Sequence, residues 1–210
     1  MKKFDIDKWN RKTQFNFFKE YEDPFFNLTA NLEVTNLYVY CKKHKLSFSL
    51  ACLYVALKAM NEIMEFKLRF KNGEVYLFDE LDIGSTILND NETFSFCYFE
   101  NQPNLIEFIE KGKVVIENHH KKVEKFEPKG EGLNLVHCTT LPWVSFTSFK
   151  HARNGDERTK GIPKIVFGKL FDENNLKKIP FSVEVHHALM DGVQVGILYK
   201  KMQEYIHGLV

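Results

Sequence analysis

The run His186-His187-Ala188-Leu189-Met190-Asp191-Gly192 decides how this chain is read. The five residues before it, Phe181-Ser182-Val183-Glu184-Val185, have strand character. After it, Gln194 to His207 carry Val195, Leu198, Met202 and Tyr205 at the spacing of a buried helix face, with Gly208 as a natural stop. Successive side chains of a strand point to opposite faces. One histidine can therefore face a cleft while its neighbour enters the interior. Asp191 stands where the chain turns into the helix, and Gln194 three residues on completes a capping-box pattern, so a plain N-cap would account for the acid. A zinc site is not indicated, because adjacent histidines diverge and the helical pattern needs His at i and i+4.

Outward from this run, residues 164–171 and 179–186 predict strands around a turn at Asp172-Glu173-Asn174-Asn175. Leu133 to Thr140 has strand character, and Trp143 to Phe149 is a short apolar run. The polar stretch 150–161 reads as a solvated connection, and the charged stretch 122–131, with Pro128 and Gly130, as an exposed loop. Residues 47–64 give the strongest helix signal, with Ala51, Leu53, Tyr54, Leu57, Met60 and Met64 at near-helical spacing. That helix is apolar on more than one side and should be buried. Asn72-Gly73 between 67–70 and 75–78 predicts a two-residue hairpin. Strands are expected at 83–88 and 93–99, then a helix to about Lys121 with Pro103 in its first turn. Nearer the start, Asp23-Pro24 marks a turn, Phe25 to Val34 a strand, and Thr35 can cap a short helix to His44. Residues 5–21 form an amphipathic segment anchored by Trp9, Phe15, Phe18 and Tyr21. Helices alternating with hairpins argue for an α+β or mixed-sheet architecture. No shift in composition divides the chain, so residues 1–210 are expected to form one domain.

Composition excludes several classes. A net charge of +1 over 210 residues suggests no nucleic-acid or polyanion partner. Cys41, Cys52, Cys97 and Cys138 are widely spaced without C-x-x-C pairing and read as reduced, which fits a cytoplasmic protein. The charged start lacks the apolar core of a signal peptide. No run of about 18 apolar residues exists, so no membrane span is expected. Twenty phenylalanines suggest a rich core or an aromatic pocket, and composition does not separate the two.

The complete string His-His-x-x-x-Asp-Gly resembles the signature of acyltransferases related to chloramphenicol acetyltransferase. Further stretches carry the likeness through most of the chain. Trp9-x-Arg11-Lys12-x-x-Phe15 resembles the family's amino-terminal pattern, and Glu92-Thr93-Phe94-Ser95 its Glu-Thr-Phe-Ser segment. Pro142-Trp143-Val144-Ser145-Phe146-Thr147-Ser148-Phe149 resembles its Pro-Trp stretch. The same motif occurs in dihydrolipoyl acyltransferases and peptide-synthesis condensation domains. The absence of a lipoyl-type domain and the single half-site set those aside.

The resemblance implies an α+β fold, a two-layer sandwich with a mixed, mainly antiparallel sheet. It implies direct transfer of an acetyl group from acetyl-CoA, as co-substrate, to a small hydroxyl acceptor, chloramphenicol first, with no metal; the alternatives are a different small alcohol acceptor or a non-catalytic member that binds a small ligand. His187 would be the general base and Ser148 the donor to the oxyanion. Asp191 would pair with Arg11, and Lys169 would lie near the coenzyme's adenosine phosphate. Phe17, Phe18, Phe26, Phe94, Phe96 and Tyr98 would surround the acceptor. Sites would form between subunits of a homotrimer. The sequence departs from the family at Val166 and Leu170, where a threonine and a tyrosine are usual, at Gln14, usually histidine, and at Lys150-His151-Ala152, often Asn-Leu-Asn.

Overall fold

Alternation from Leu176 to His186 produces the strand that organises the molecule. The structure, a computed structural model, describes residues 1–121, 132–153 and 161–209. In chain order its strands are β1 (Lys2–Lys3), β2 (Phe25–Glu33), β3 (Leu68–Lys71), β4 (Glu74–Leu77), β5 (Asp82–Leu88), β6 (Phe94–Phe99), β7 (Leu135–Thr140), β8 (Lys164–Phe167), β9 (Phe171–Glu173) and β10 (Leu176–His186). The helices are α1 (Lys12–Phe18), α2 (Thr35–Lys43), α3 (Phe48–Asn61), α4 (Leu105–His120) and α5 (Gly192–His207). The large sheet runs β2-β10-β8-β7-β5-β6, with β9 paired to β10. Its pairs are antiparallel except β5–β7 and β7–β8, so the sheet is mixed and mainly antiparallel, as expected.

One pleat face of this sheet makes the core. Ile83, Cys97, Val136, Cys138, Ile165, Phe181, Val183 and Val185 pack with Leu57, Met60, Val195, Leu198 and Met202 from the helices. α3 is buried along nearly its whole length, and Leu57 and Met60 are fully enclosed. Truncating either to alanine would cost about 2–5 kcal/mol. All four cysteines are buried, and none forms a disulfide among the described residues. A smaller sheet, β1-β4-β3, and a second apolar cluster of Trp9, Phe15, Leu68, Val75, Ala188 and Leu189 lie beside the main core. That cluster seats the turn after β10 on the amino-terminal segment. Among the described residues no helix is long and apolar enough to cross a membrane.

The structure revises several expectations. The hairpin forms with Asn72 and Gly73 both at positive φ, joining β3 to β4. The helix after Pro103 starts two residues later, because the Asn104 side chain accepts from the Glu107 N–H and takes the cap. The helix from 47 ends at Asn61 and gives way to a 3₁₀ turn, Met64–Lys67. The single strand expected at 164–171 breaks at Gly168, where Phe146 and Pro180 crowd the backbone, and resumes as β9. Asn174 and Asn175, both at positive φ, then turn the chain into β10, which starts three residues earlier than expected. Thr35 does not cap α2; its hydroxyl accepts from the Lys177 N–H instead. Ile206, rather than Tyr205, completes the buried face of α5, since the Tyr205 hydroxyl reaches out to Glu62. Residues 5–21 divide into a 3₁₀ turn and α1, with Tyr21 exposed rather than an anchor. The stretch 122–131 and residues 154–160 of the polar connection lie outside the described residues. Residues 151–153, expected to be solvated, are instead drawn onto the sheet by Glu184.

Candidate active site

β10 delivers its two histidines as strand alternation requires. His186 is 3% exposed, lying against Phe25 and Phe70 with ring centroids 5.1 and 4.8 Å away. Its Nδ1 accepts from the Ala188 N–H at 3.2 Å. His187 points the other way and is half-buried. Its ring lies flat on Phe18, centroids 3.8 Å apart and planes within 6°, and tilts against Phe26 at 4.7 Å. Its backbone N–H donates to the Pro24 carbonyl at 2.7 Å, which ties the motif to the turn before β2. His186→Ala should therefore act through stability. Losing a packed ring and leaving the Ala188 amide unpaired should cost about 2–3 kcal/mol. The thermal midpoint should fall by roughly 5–10 °C, with the turnover of folded protein little changed.

The turn beyond β10 is held by a single arginine. Arg11, 7% exposed at the start of α1, offers Nε to Asp191 Oδ2 at 3.0 Å and Nη2 to Oδ1 at 2.7 Å. This is the two-pronged geometry in which arginine binds carboxylate best. The same guanidinium donates to the carbonyls of Ala188 and His187, both at 3.1 Å, and lies over the Trp9 ring at 5.0 Å. Asp191 also opens α5, where its N–H donates to Gln194 Oε1 at 2.9 Å. The acid is thus both the cap and the arginine's partner. Gly161, at φ +65°, passes so close that a Cβ there would stand 2.5 Å from Leu189 of the turn.

His187 Nδ1 sits 3.1 Å from Asp191 Oδ1, within range of charge attraction, but it is not aligned for a hydrogen bond. Nδ1 is buried, so Nε2 is the nitrogen presented to a ligand. A fixed, partly exposed imidazole of this kind can take a proton from a hydroxyl.

The other expected residues do not join this group within one chain. Phe17 does lie near, edge-on to Phe18 at 5.0 Å, and is 60% exposed. Ser148 is exposed in the irregular segment between β7 and β8. Lys169 is exposed beside it: its N–H donates to the Val144 carbonyl at 2.9 Å, and its carbonyl accepts from Ser145 Oγ at 3.1 Å. Phe94, Phe96 and Tyr98 belong to β6, on the sheet face away from the helices. Tyr98 covers Gly84, and Phe94 meets Phe96 edge to face at 5.6 Å. Four strand spacings separate β6 from β10, roughly 19 Å at 4.8 Å each. Within one chain these aromatics therefore do not line one pocket. The residues form two half-sites, one around His187, Phe18 and Phe26, the other on the opposite face. Three features of the site lie beyond the sequence reading: the stacking of Arg11 on Trp9, the Pro24 carbonyl, and the buried Glu184. A charged residue between two valines of a buried strand was the available signal for the last.

Comparison with known proteins agrees with this geometry. Residues 1–203 match the family model described as chloramphenicol acetyltransferase. A chloramphenicol acetyltransferase of Clostridium perfringens is 32% identical over 203 residues, covering 95% of this chain and 92% of its own. A solved chloramphenicol acetyltransferase structure superposes with a TM-score of 0.91 at 27% identity, over 98% of this chain and all of the other. The dihydrolipoamide acetyltransferase of Azotobacter vinelandii shares the fold at a TM-score of 0.67 and 12% identity, over 94% of this chain and 86% of that one. With the motif turn, the Arg11–Asp191 clasp and the mixed sheet in place, the chain belongs to the chloramphenicol acetyltransferase family.

Proposed function

We propose that this protein is an acetyl-CoA-dependent O-acetyltransferase whose acceptor is chloramphenicol or a similar small aromatic alcohol. The observation that carries the reading is His187, partly exposed, its ring stacked on Phe18 and its Nδ1 buried 3.1 Å from Asp191 Oδ1, which leaves Nε2 to meet a ligand. An alcohol is a poor nucleophile at neutral pH. Nε2 takes the hydroxyl proton as the oxygen attacks the thioester carbonyl. The carbonyl oxygen becomes an oxyanion, which the Ser148 hydroxyl stabilises. Collapse breaks the carbon–sulfur bond, and the proton passes from His187 to the leaving thiolate. Ser148 does not act as a nucleophile, because it lies in no Gly-x-Ser-x-Gly elbow. Lys169 is the coenzyme contact, and no metal takes part.

The separation of the half-sites supports assembly. A second copy that brings its β6 face and its Ser148 segment to His187 closes the site, and a cyclic trimer does this three times. The assembled enzyme acts in the cytoplasm. Light scattering on purified protein should give about three times the 24.7 kDa chain mass. A fully active monomer would rule the shared site out.

The direct test follows thiol release from acetyl-CoA with chloramphenicol and a panel of other alcohols. Ser148→Ala should lower kcat by about 10²–10³-fold, as loss of an oxyanion donor does elsewhere. Val166 and Leu170, in place of the usual threonine and tyrosine, favour a second reading in which another small alcohol is the preferred acceptor. His187-dependent transfer to such an alcohol, with none to chloramphenicol, would decide for it.

A further inference from the structure

A buried ion pair stands three residues before His187, and the proposed chemistry makes no use of it. Glu184 is 2% exposed, on the face of β10 turned away from the helices. Its Oε1 accepts from Arg153 Nε at 2.6 Å, and its Oε2 from the His151 backbone N–H at 3.3 Å. Lys164, the cross-strand neighbour of Glu184 on β8, donates to the Ala152 carbonyl at 2.8 Å. The Arg153 guanidinium lies 3.6 Å above the Phe25 ring, and Phe25 packs against His186. Three consecutive residues beyond Ser148 are thus bound to the sheet through β10 and β8.

The segment carrying Ser148 is anchored at its other end too. There Ser145 and Val144 bond to Lys169, and Phe146 presses on Gly168. Between the anchors Ser148 is exposed, near the exposed pair Lys150–Asp23 at 3.1 Å. Ring packing is one part of the placement of 151–153, since His151 lies edge-on to Phe149 at 4.9 Å. Both ring nitrogens of His151 are buried without a hydrogen-bond partner among the described residues. Burial, aided by Lys164, Arg153 and His137, pushes its pKa down to about 3. Burying an unpaired imidazole is unfavourable, so a specific attraction must offset it, and the Glu184 carboxylate is where the segment's bonds converge.

We propose that the Glu184–Arg153 pair is a positioning device for acyl transfer. It fixes the segment 146–153, and so the Ser148 hydroxyl, relative to the strand that ends in His187. One strand thereby sets the places of both half-sites of a chain, and a site built from two copies inherits that spacing. The inference rests on the oxyanion role proposed for Ser148.

The test removes both charges together, in Glu184→Met/Arg153→Met, because loss of one partner alone leaves a buried charge and can unfold the protein. The double variant should melt near the wild-type temperature. Amide exchange in 146–153 should rise about tenfold or more as the segment loosens. Turnover should fall by roughly 10–100-fold, the scale of a misplacement near 1 Å. KM for acetyl-CoA should stay within about threefold of wild type. In a Ser148→Ala background the same pair of changes should cost less than about threefold, because the group being positioned is already gone. Wild-type exchange in 146–153 overturns the proposal, as does a loss that adds in full to that of Ser148→Ala. The two failures are distinguishable. If Ser148→Ala and His187→Ala both turn over normally, the acyl-transfer reading falls and takes the positioning role with it. If both are impaired while the double variant is not, only the positioning role falls.

Discussion

His187→Ala is expected to lower kcat by about 10²–10⁴-fold, the usual contribution of a positioned general base. The fold should survive, because the ring is half-buried at the surface and the strand that carries it is secured elsewhere. The motif's backbone is held by the His187 N–H on Pro24 and by Arg11 on the His187 and Ala188 carbonyls, and none of these bonds uses the imidazole. Loss of the ring does remove the stacking contact with Phe18, so a fall of a few degrees in the thermal midpoint is expected, about 1 kcal/mol. The measurement is steady-state transfer from acetyl-CoA beside a melting curve and coenzyme binding. A folded variant that binds coenzyme and turns over at close to the wild-type rate would show that another group is the base.

Arg11→Ala should have a large effect on stability, about 3 kcal/mol. The guanidinium makes four hydrogen bonds and is almost fully enclosed. Its removal strands two carbonyls and leaves the Asp191 carboxylate without its cation. Asp191 keeps a third of its side-chain surface in contact with solvent, which holds the figure at the low end for a broken buried pair. The clasp also spans 180 residues of sequence, so the turn bearing His187 loses its tie to the amino-terminal segment. Turnover of the folded fraction should fall with stability. Asp191→Asn should be milder, since an amide oxygen still accepts one bond and Gln194 still caps α5. Chemical denaturation of the three proteins ranks them, and equal stability of Arg11→Ala and wild type would exclude the clasp.

How far the sequence reaches can be judged from particular elements. Local physics was legible where a few neighbouring residues decide the outcome. Asn72-Gly73 set the hairpin because both central residues need positive φ. Alternation alone sent His186 and His187 to opposite sides, and packing decided that His186 is the buried one. The run from Ala51 to Met60 announced a helix buried on every side. The motif strings from Trp9 to Gly192 named the candidate residues through their likeness to a known family.

What the sequence could not decide depends on contacts between distant segments. Ser182, Glu184 and His186 alternate with apolar residues, yet all three are buried: Ser182 bonds to Asn27 and Thr29, Glu184 to the segment beyond Ser148, and His186 packs against Phe25 and Phe70. A polar stretch such as His151-Ala152-Arg153 reads as solvated from composition. Only a carboxylate brought to it from 31 residues away makes burial affordable. The pocket aromatics separated for the same reason. The sequence identifies Phe18, Phe26, Phe94, Phe96 and Tyr98, but strand order sets Phe26 on β2 five spacings from the three aromatics of β6, and strand order is fixed by long-range pairing that no local pattern encodes.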